Sequence, residues 1–526
     1  MDDIAWKIAP LVCLVGVLVL RWYTHPVRPI SRKCRSFGNL QCSQLRSIPT
    51  LMGSSFPGLS LFTALQFARD PRRLLNEGYI KYQNSTFKLP LLDKWVVVVC
   101  GTKLIEEVGK RPDDELSAYD GIREFTQVAY TSGPEMLVDS GHESRTIIKE
   151  NLTRGMPIFA PEIADELECV LQECIHSEDG GDWARLNPWD LMKQVLARTT
   201  SRVFVGLPLC RDERYLSIVH KHVKDFMETI LTMNLIPTFL KPIIGPKVSK
   251  VHGNVQLGLS IFRPIIEKRK ALMKESGGDW PDKPNDMLQW ILDRAVPRGN
   301  SDEYVVERLL GSNFAAINSA ANVLTNALCR LATSPETAVL LREEIESLVA
   351  EEGWTAGAIS KMAKLDSFLK ETQRYTGVAL ASMMKKAMKD ALLSDGTFLP
   401  KGTILLTAYS PVHRDERYYP NSDVFDPFRF SRERERDGDS VKHQFTTSSA
   451  TYLSWGYGPH SCPGRFFVVM EMKAIMAHIL VHYDLKLGGD GSLPKETCMG
   501  FAVAAPRDGV LLFKKRRSSW LSHSTV

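Results

Sequence analysis

Trp455-Gly-Tyr-Gly-Pro-His-Ser-Cys-Pro-Gly-Arg465 packs three glycines and two prolines around one cysteine, and an apolar helical run follows directly. Pro463 suits the first helical position, so Cys462 falls at the amino terminus of a predicted helix from Pro463 to about Tyr483. Unpaired backbone N–H groups and the positive end of the helix dipole stabilise a thiolate there. A thiolate so held can serve as a permanent metal ligand, and the glycines let the backbone pass close beneath a flat macrocycle. The competing reading is a turn-rich helix start that happens to bury a small thiol.

Two segments upstream bear on that choice. In Leu365-Asp-Ser-Phe-Leu-Lys-Glu-Thr-Gln-Arg374 the spacing predicts an amphipathic helix with Glu371 and Arg374 on one face. Taken alone, such a pair also reads as a surface ion pair. His413-Arg-Asp-Glu-Arg-Tyr-Tyr-Pro420 and Phe425-Asp-Pro-Phe-Arg-Phe430 then follow in order before the cysteine loop.

Together these segments resemble the cytochrome P450 family, whose haem-binding loop is written aromatic-x-x-Gly-x-Arg-x-Cys-x-Gly. Trp455 stands at the aromatic position, Gly458 and Gly464 match, and His460 replaces the arginine. The resemblance implies that Cys462 is the axial ligand of a haem iron and that His460 donates to a haem propionate. A thiolate opposite bound oxygen pushes electron density into the O–O bond and favours its cleavage. The resemblance further implies a buried network of Glu371, Arg374 and Arg429 beneath the haem, with Phe428 replacing a common glutamate and leaving the arginine contact intact. Arg145 and Lys149 fall near the family's propionate-binding helix, although its tryptophan is absent. The similarity spans nearly the whole chain, including Ser201 to Arg211 and the carboxyl-terminal strands.

The long helix predicted over Asp302–Thr333 is apolar around most of its circumference but carries Asn313, Asn318, Ser319 and Asn322 at mid-length. Amides and hydroxyls there can bond the carbonyl four residues back and open the helix locally, or they can serve helix packing. Against the family pattern Ala/Gly-Gly-x-Asp/Glu-Thr, the residues are Ala315, Ala316, Ile317, Asn318 and Ser319. Asn318 cannot deliver a titratable proton, so a relay would run through Ser319 and water. By family position, Ala315, Ala316, Val378, Ala379, Leu380 and Phe501, with neighbours to Ser382 and Ala504, would line the substrate pocket.

Over 526 residues, 44% apolar and 24% charged side chains suit a globular protein with a large core. A net charge of +5 from 66 basic and 61 acidic residues, with no basic-aromatic stripe, gives no indication of nucleic acid. The ten cysteines are irregularly spaced, which fits a reducing compartment. Ile4–Leu20 is apolar but for Lys7, and Arg21, Trp22, Tyr23 and a basic cluster at Arg28–Arg35 follow it. This reads as a short membrane span with its positive flank on the carboxyl side, the alternative being a cleaved signal peptide. The positive-inside rule then leaves the rest of the chain in the cytosol. Expected boundaries are an anchor over 1–23, a connector over 24–50, a catalytic domain over 51–517 and a tail over 518–526.

Strands are predicted at Ser85–Leu89 and Lys94–Val99 and in a strand-rich, turn-rich stretch from Asp390 to Phe430. Helices are predicted at Pro161–Ile175, Pro188–Phe204, Arg214–Thr232, Gly253–Ser276 and Pro335–Glu352. The fold class is mainly α with a smaller β portion (α+β); the resemblance implies the cytochrome P450 fold preceded by one transmembrane helix. No dinucleotide or flavin motif is present, so NADPH and flavins would act through a separate membrane-bound reductase. The expected activity is hydroxylation of a lipophilic small molecule with O2 at the endoplasmic reticulum membrane. A diterpenoid or similar terpenoid of fungal secondary metabolism is the expected substrate, with a steroid or xenobiotic as alternatives. A haem-thiolate isomerase or dehydratase, or a non-catalytic haem-binding membrane protein, would also fit a helix without its acid.

Overall fold

Helix starts in this chain follow proline and capping side chains. Asn187 accepts the N–H groups of Trp189 and Asp190 ahead of Pro188–Phe204, and Pro335–Glu352 begins on its proline, so both helices have the expected bounds. Ser301 caps Asp302–Leu331 and Asp212 caps Glu213–Leu235, while Val251–Ser276 ends at left-handed Gly277. The helix expected from Pro161 is longer, Met156–Cys174, with its first-turn proline at Pro157 and Pro161 inside it. Two prolines compete for one start signal there, and the earlier one holds it.

The computed structural model describes residues 45, 47–52, 57–138, 141–176, 182–439 and 441–516. The expected anchor over 1–23, most of the connector and the tail over 518–526 lie outside the described residues. Among the described residues no helix is long and apolar enough to cross a membrane.

Asp302–Leu331 is the central helix. It packs against Pro188–Phe204, Glu213–Leu235, Val251–Ser276, Met287–Ala295, Ala363–Tyr375 and Arg465–His482. Leu309, Leu324, Leu328, Val195, Leu196, Met476 and Leu480 are fully buried in one continuous core. Each such side chain contributes roughly 1.5–3 kcal/mol of transfer free energy.

The largest sheet has five strands in the order Thr86–Pro90, Trp95–Val99, Ile404–Thr407, Ser382–Ala387, Leu116–Ser117. The first two, both expected as strands, form an antiparallel hairpin, with Pro90 opposite Trp95. Trp95–Val99 then pairs in parallel with Ile404–Thr407, and its four valines are all buried, which explains a run without alternation. The stretch from Asp390 to Phe430 holds strands and turns, as expected, with the strands confined to its first half. Ala391–Leu392, Phe398–Leu399 and Ile404–Thr407 are strands, but Tyr409–His413 is helical and most of the remainder is turns. With 59% helix and 10% strand the fold is mainly α, as expected.

Candidate active site

The helix after the cysteine loop is Arg465–His482 with Gly464 as its cap, so Pro463 precedes the helix rather than opening it. Cys462 therefore sits one turn ahead of the helix, but backbone donors still face it. The N–H groups of Gly464 and Arg465 hydrogen-bond its sulfur. Burial pushes the free thiol's pKa up, outweighing those bonds and the nearby Arg465 charge. Deprotonation of Cys462 thus calls for a cation on the sulfur, since coordination to a metal deprotonates a thiol outright.

The loop is closed on itself: Cys462 N–H donates to Trp455 O at 2.7 Å, and Ser461 Oγ donates to Gly458 O at 2.8 Å. Gly458 has φ +82°, and a Cβ there would stand 2.7 Å from Gly109 O, so only glycine fits. Trp455 Nε1 donates to Phe445 O at 2.6 Å, while Arg465 donates to Thr446 O at 3.1 Å and Cys462 O at 2.8 Å. Both side chains thereby pin the loop to residues 445–446.

Glu371, Arg374 and Arg429 come together as expected. Arg374 donates to both carboxylate oxygens of Glu371 at 2.7 and 2.8 Å, and Arg429 Nε reaches the same carboxylate at 3.3 Å. The Glu371 and Arg374 side chains are 0% exposed, which removes the surface-pair reading. Arg374 also donates to His413 O at 2.6 Å, and His413 Nε2 accepts from Leu453 N–H at 2.9 Å. The network thus reaches the cysteine loop through one residue. Phe428 leaves the Arg429 contact in place.

Arg145 and His460 also meet. Arg145 donates to His460 Nδ1 at 2.6 Å and to Pro459 O at 2.5 Å, and Asp113 accepts from His460 Nε2 at 2.8 Å. Burial lowers the His460 pKa, with Asp113 opposing and Arg145 adding to the effect, so both ring nitrogens are engaged by a neutral imidazole. Asp113 carried no sequence signal, since it acts from a loop 347 positions away. Lys149 is exposed beside this cluster.

The central helix runs unbroken through Asn318 and Ser319, contrary to the expected local opening. Ser319 Oγ lies a long 3.4 Å from Ala315 O, too weak a bond to distort the helix. Space comes instead from side-chain size: Ala315 and Ser319, one turn apart, are exposed, and Ala316 and Asn318 are half-buried, in a helix whose flanking turns are core. Asn313 donates to Leu309 O at 3.0 Å and Asn322 to Val503 O at 2.5 Å, so these two serve packing.

An apolar cavity of about 300 Å³ lies among Phe67, Val96, Ile230, Met384, Leu406 and Phe501. Val378 and Ala379 are half-buried. Leu380 is fully buried, and it reaches this region through its N–H, which donates to Phe501 O at 2.8 Å.

These residues fit a haem. Among the described residues no cluster of three His, Cys, Asp or Glu side chains could hold a metal ion unaided. A single half-buried thiol on a glycine-bent loop suits a metal whose other positions a macrocycle fills, and Arg145 is a cation available to an acidic edge of that macrocycle. A lone cysteine on a glycine-bent loop, a buried Glu-Arg-Arg network linked to it and a mainly α fold suit a haem-thiolate protein.

The family model for cytochrome P450 matches residues 54–512, and the chain belongs to that family. It is 39% identical over 98% of its length to a Ganoderma lucidum protein named cytochrome P450 monooxygenase CYP512U6, of which 97% is covered. It is 40% identical over 92% of its length to cytochrome P450 monooxygenase 151 of Postia placenta, of which 96% is covered. Cytochrome P450 monooxygenase AtmP of Aspergillus flavus is 32% identical over 98% of this chain and 96% of its own. The protein is accordingly a haem-dependent monooxygenase that takes electrons from a separate reductase.

Proposed function

We propose that this monooxygenase hydroxylates a terpenoid, diterpenoid in size or similar, in fungal secondary metabolism. The cavity that includes Phe501 carries this reading. Its wall is almost wholly aliphatic or aromatic, and of its polar members Lys94 is paired with Asp93 and Glu124 while Asn234 bonds Phe125 O. A hydrocarbon enters such a space with little desolvation cost. Bound haem supplies oxygen activation.

The chain's own residues divide the remaining work. Cys462 holds the iron, and Trp455, Gly458, Gly464 and Arg465 hold Cys462. Arg145 and Lys149 provide the polar edge that takes the propionates, with His460, tied to Asp113, orienting Arg145. Ala315 and Ala316 leave room over the central helix. Ser319 passes a proton from water, with Asn318 orienting that water, since an amide can donate and accept but not titrate. The reductase meets the surface of His142, Arg145, Lys149, Arg154 and Arg465, where basic side chains flank Pro459 and Pro463. The segment over 1–23 holds the enzyme on the endoplasmic reticulum membrane with its catalytic domain in the cytosol.

The test is turnover by the reconstituted enzyme and reductase with a diterpene hydrocarbon such as ent-kaurene, a steroid and a fatty acid. NADPH-dependent hydroxylation of the diterpene supports the proposal. Turnover confined to the steroid or the fatty acid replaces it.

A further inference from the structure

A relay of two asparagines joins the central helix to the hairpin of Thr497–Met499 and Ala502–Ala504. Asn322 Nδ2 donates to Val503 O at 2.5 Å. Asn326 Nδ2 donates to Asn322 O at 2.9 Å and to Asn322 Oδ1 at 3.0 Å. The second of these bonds fixes the amide of Asn322 with its oxygen toward Asn326 and its donor toward the strand. Both side chains are buried, as is Val503, so water cannot replace either partner.

The geometry of the strand explains why the relay is needed. Val503 N–H donates to Val378 O at 3.1 Å and Leu380 N–H donates to Phe501 O at 2.8 Å, around the single bridge of Ala379 with Ala502. The N–H and C=O of one strand residue point to the same edge. Val503 O therefore faces an edge where the ladder with residues 378–380 has ended, and Asn322 supplies the donor that the ladder no longer offers. Two residues earlier, Phe501 packs on Phe67 at 4.9 Å between ring centroids and lines the apolar cavity. Asn322 is one turn beyond Ser319 on the same helix.

We propose that Asn322, oriented by Asn326, is a positioning residue. It sets the separation between the Phe501 wall of the substrate cavity and the Ala315–Ser319 stretch of the central helix, and so selects which substrate carbon is attacked. The inference rests on the reading of Phe501 as substrate wall given above. A hydrogen bond that only adds stability would leave the ligand-facing wall unmoved when it is lost.

The test uses the full-length holoenzyme carrying Asn322→Leu, which keeps side-chain size but removes the donor, and Asn326→Ala, which leaves the donor but frees its orientation. Ile345→Val, in a fully buried site on Pro335–Glu352, is the control for lost stability. Hydrogen exchange over residues 497–504 should rise at least tenfold in Asn322→Leu, less in Asn326→Ala, and not in Ile345→Val. The affinity ratio of two haem-iron probes, bulky clotrimazole against imidazole, should change at least fivefold in Asn322→Leu and also in Phe501→Ala. Unchanged exchange overturns the clamp. Raised exchange with an unchanged probe ratio overturns the positioning role, and an unchanged ratio in Phe501→Ala shows that the reading of the wall itself has failed. If Asn322→Leu does not retain haem, the same two measurements on Asn326→Ala decide.

Discussion

Replacing Arg374 by leucine removes a guanidinium whose three nitrogens all donate hydrogen bonds. It donates twice to Glu371 and once each to the carbonyls of His413 and Ser422, with its side chain 0% exposed. The loss leaves a fully buried carboxylate with only Arg429 at 3.3 Å and the Asp426 N–H at 3.1 Å, and leaves two buried carbonyls short of a donor. Breaking one side of a buried pair costs about 3–5 kcal/mol. For a body of this size the unfolding entropy is about 1 kcal/mol/K, so the thermal midpoint should fall by roughly 3–5 °C. Arg73, which pairs with Asp70 and Glu77 at half-exposed positions, is the surface counterpart, and Arg73→Leu should cost no more than about 1 kcal/mol. Arg374→Lys keeps the charge but not the fork and should fall between them. Differential scanning calorimetry of the three purified holoenzymes reads the result directly. A shift for Arg374→Leu within 1 °C of that for Arg73→Leu would falsify the claim that this network braces the cysteine loop.

Glu471 accepts from Thr199 at 2.8 Å and Thr200 at 3.0 Å, its second oxygen is unpaired, and burial pushes its pKa up to about 7. Below the unfolded value the carboxyl is neutral in both states, and as pH rises toward 7 the unfolded chain ionises first, so the fold loses stability. Between pH 5 and pH 8 the loss amounts to about 2–3 kcal/mol, and Glu471→Gln should abolish it in denaturation measured at both pH values; an unaltered pH slope would contradict the assignment. Ser319→Ala should raise NADPH consumed per product formed well above Asn322→Ala, whose main effect is on which product forms. Equal uncoupling in the two variants would remove Ser319 from the proton route.

Local chemistry was the most legible part of the sequence. The cysteine loop, Glu371, Arg374 and Arg429 were legible because their motifs occur together in the order of a known family, each alone having a plainer reading, and the helices at Pro188 and Pro335 announce their own starts. Pairings that depend on the fold were not readable. Asp113 meets His460, and Asn322 meets Val503, across more than 180 residues in each case, and no local pattern marks either partner. The expected opening of the central helix failed for a related reason: Asn322 has a strand carbonyl to bond, so it does not turn back on its own helix. Ile404–Thr407 is one of the strands in the stretch expected to be rich in strands and turns, and the residues from Tyr409 to Phe430 fold around the buried arginines instead of extending the sheet.

The assignment of Cys462 as the iron's axial ligand is tested most directly by the absorption spectrum of the reduced carbon monoxide complex in wild type and Cys462→Ala. The wild type should show the long-wavelength band of thiolate ligation and Cys462→Ala should lose it, even in preparations that still retain haem. Persistence of that band in Cys462→Ala would place the thiolate elsewhere and contradict the account of the site.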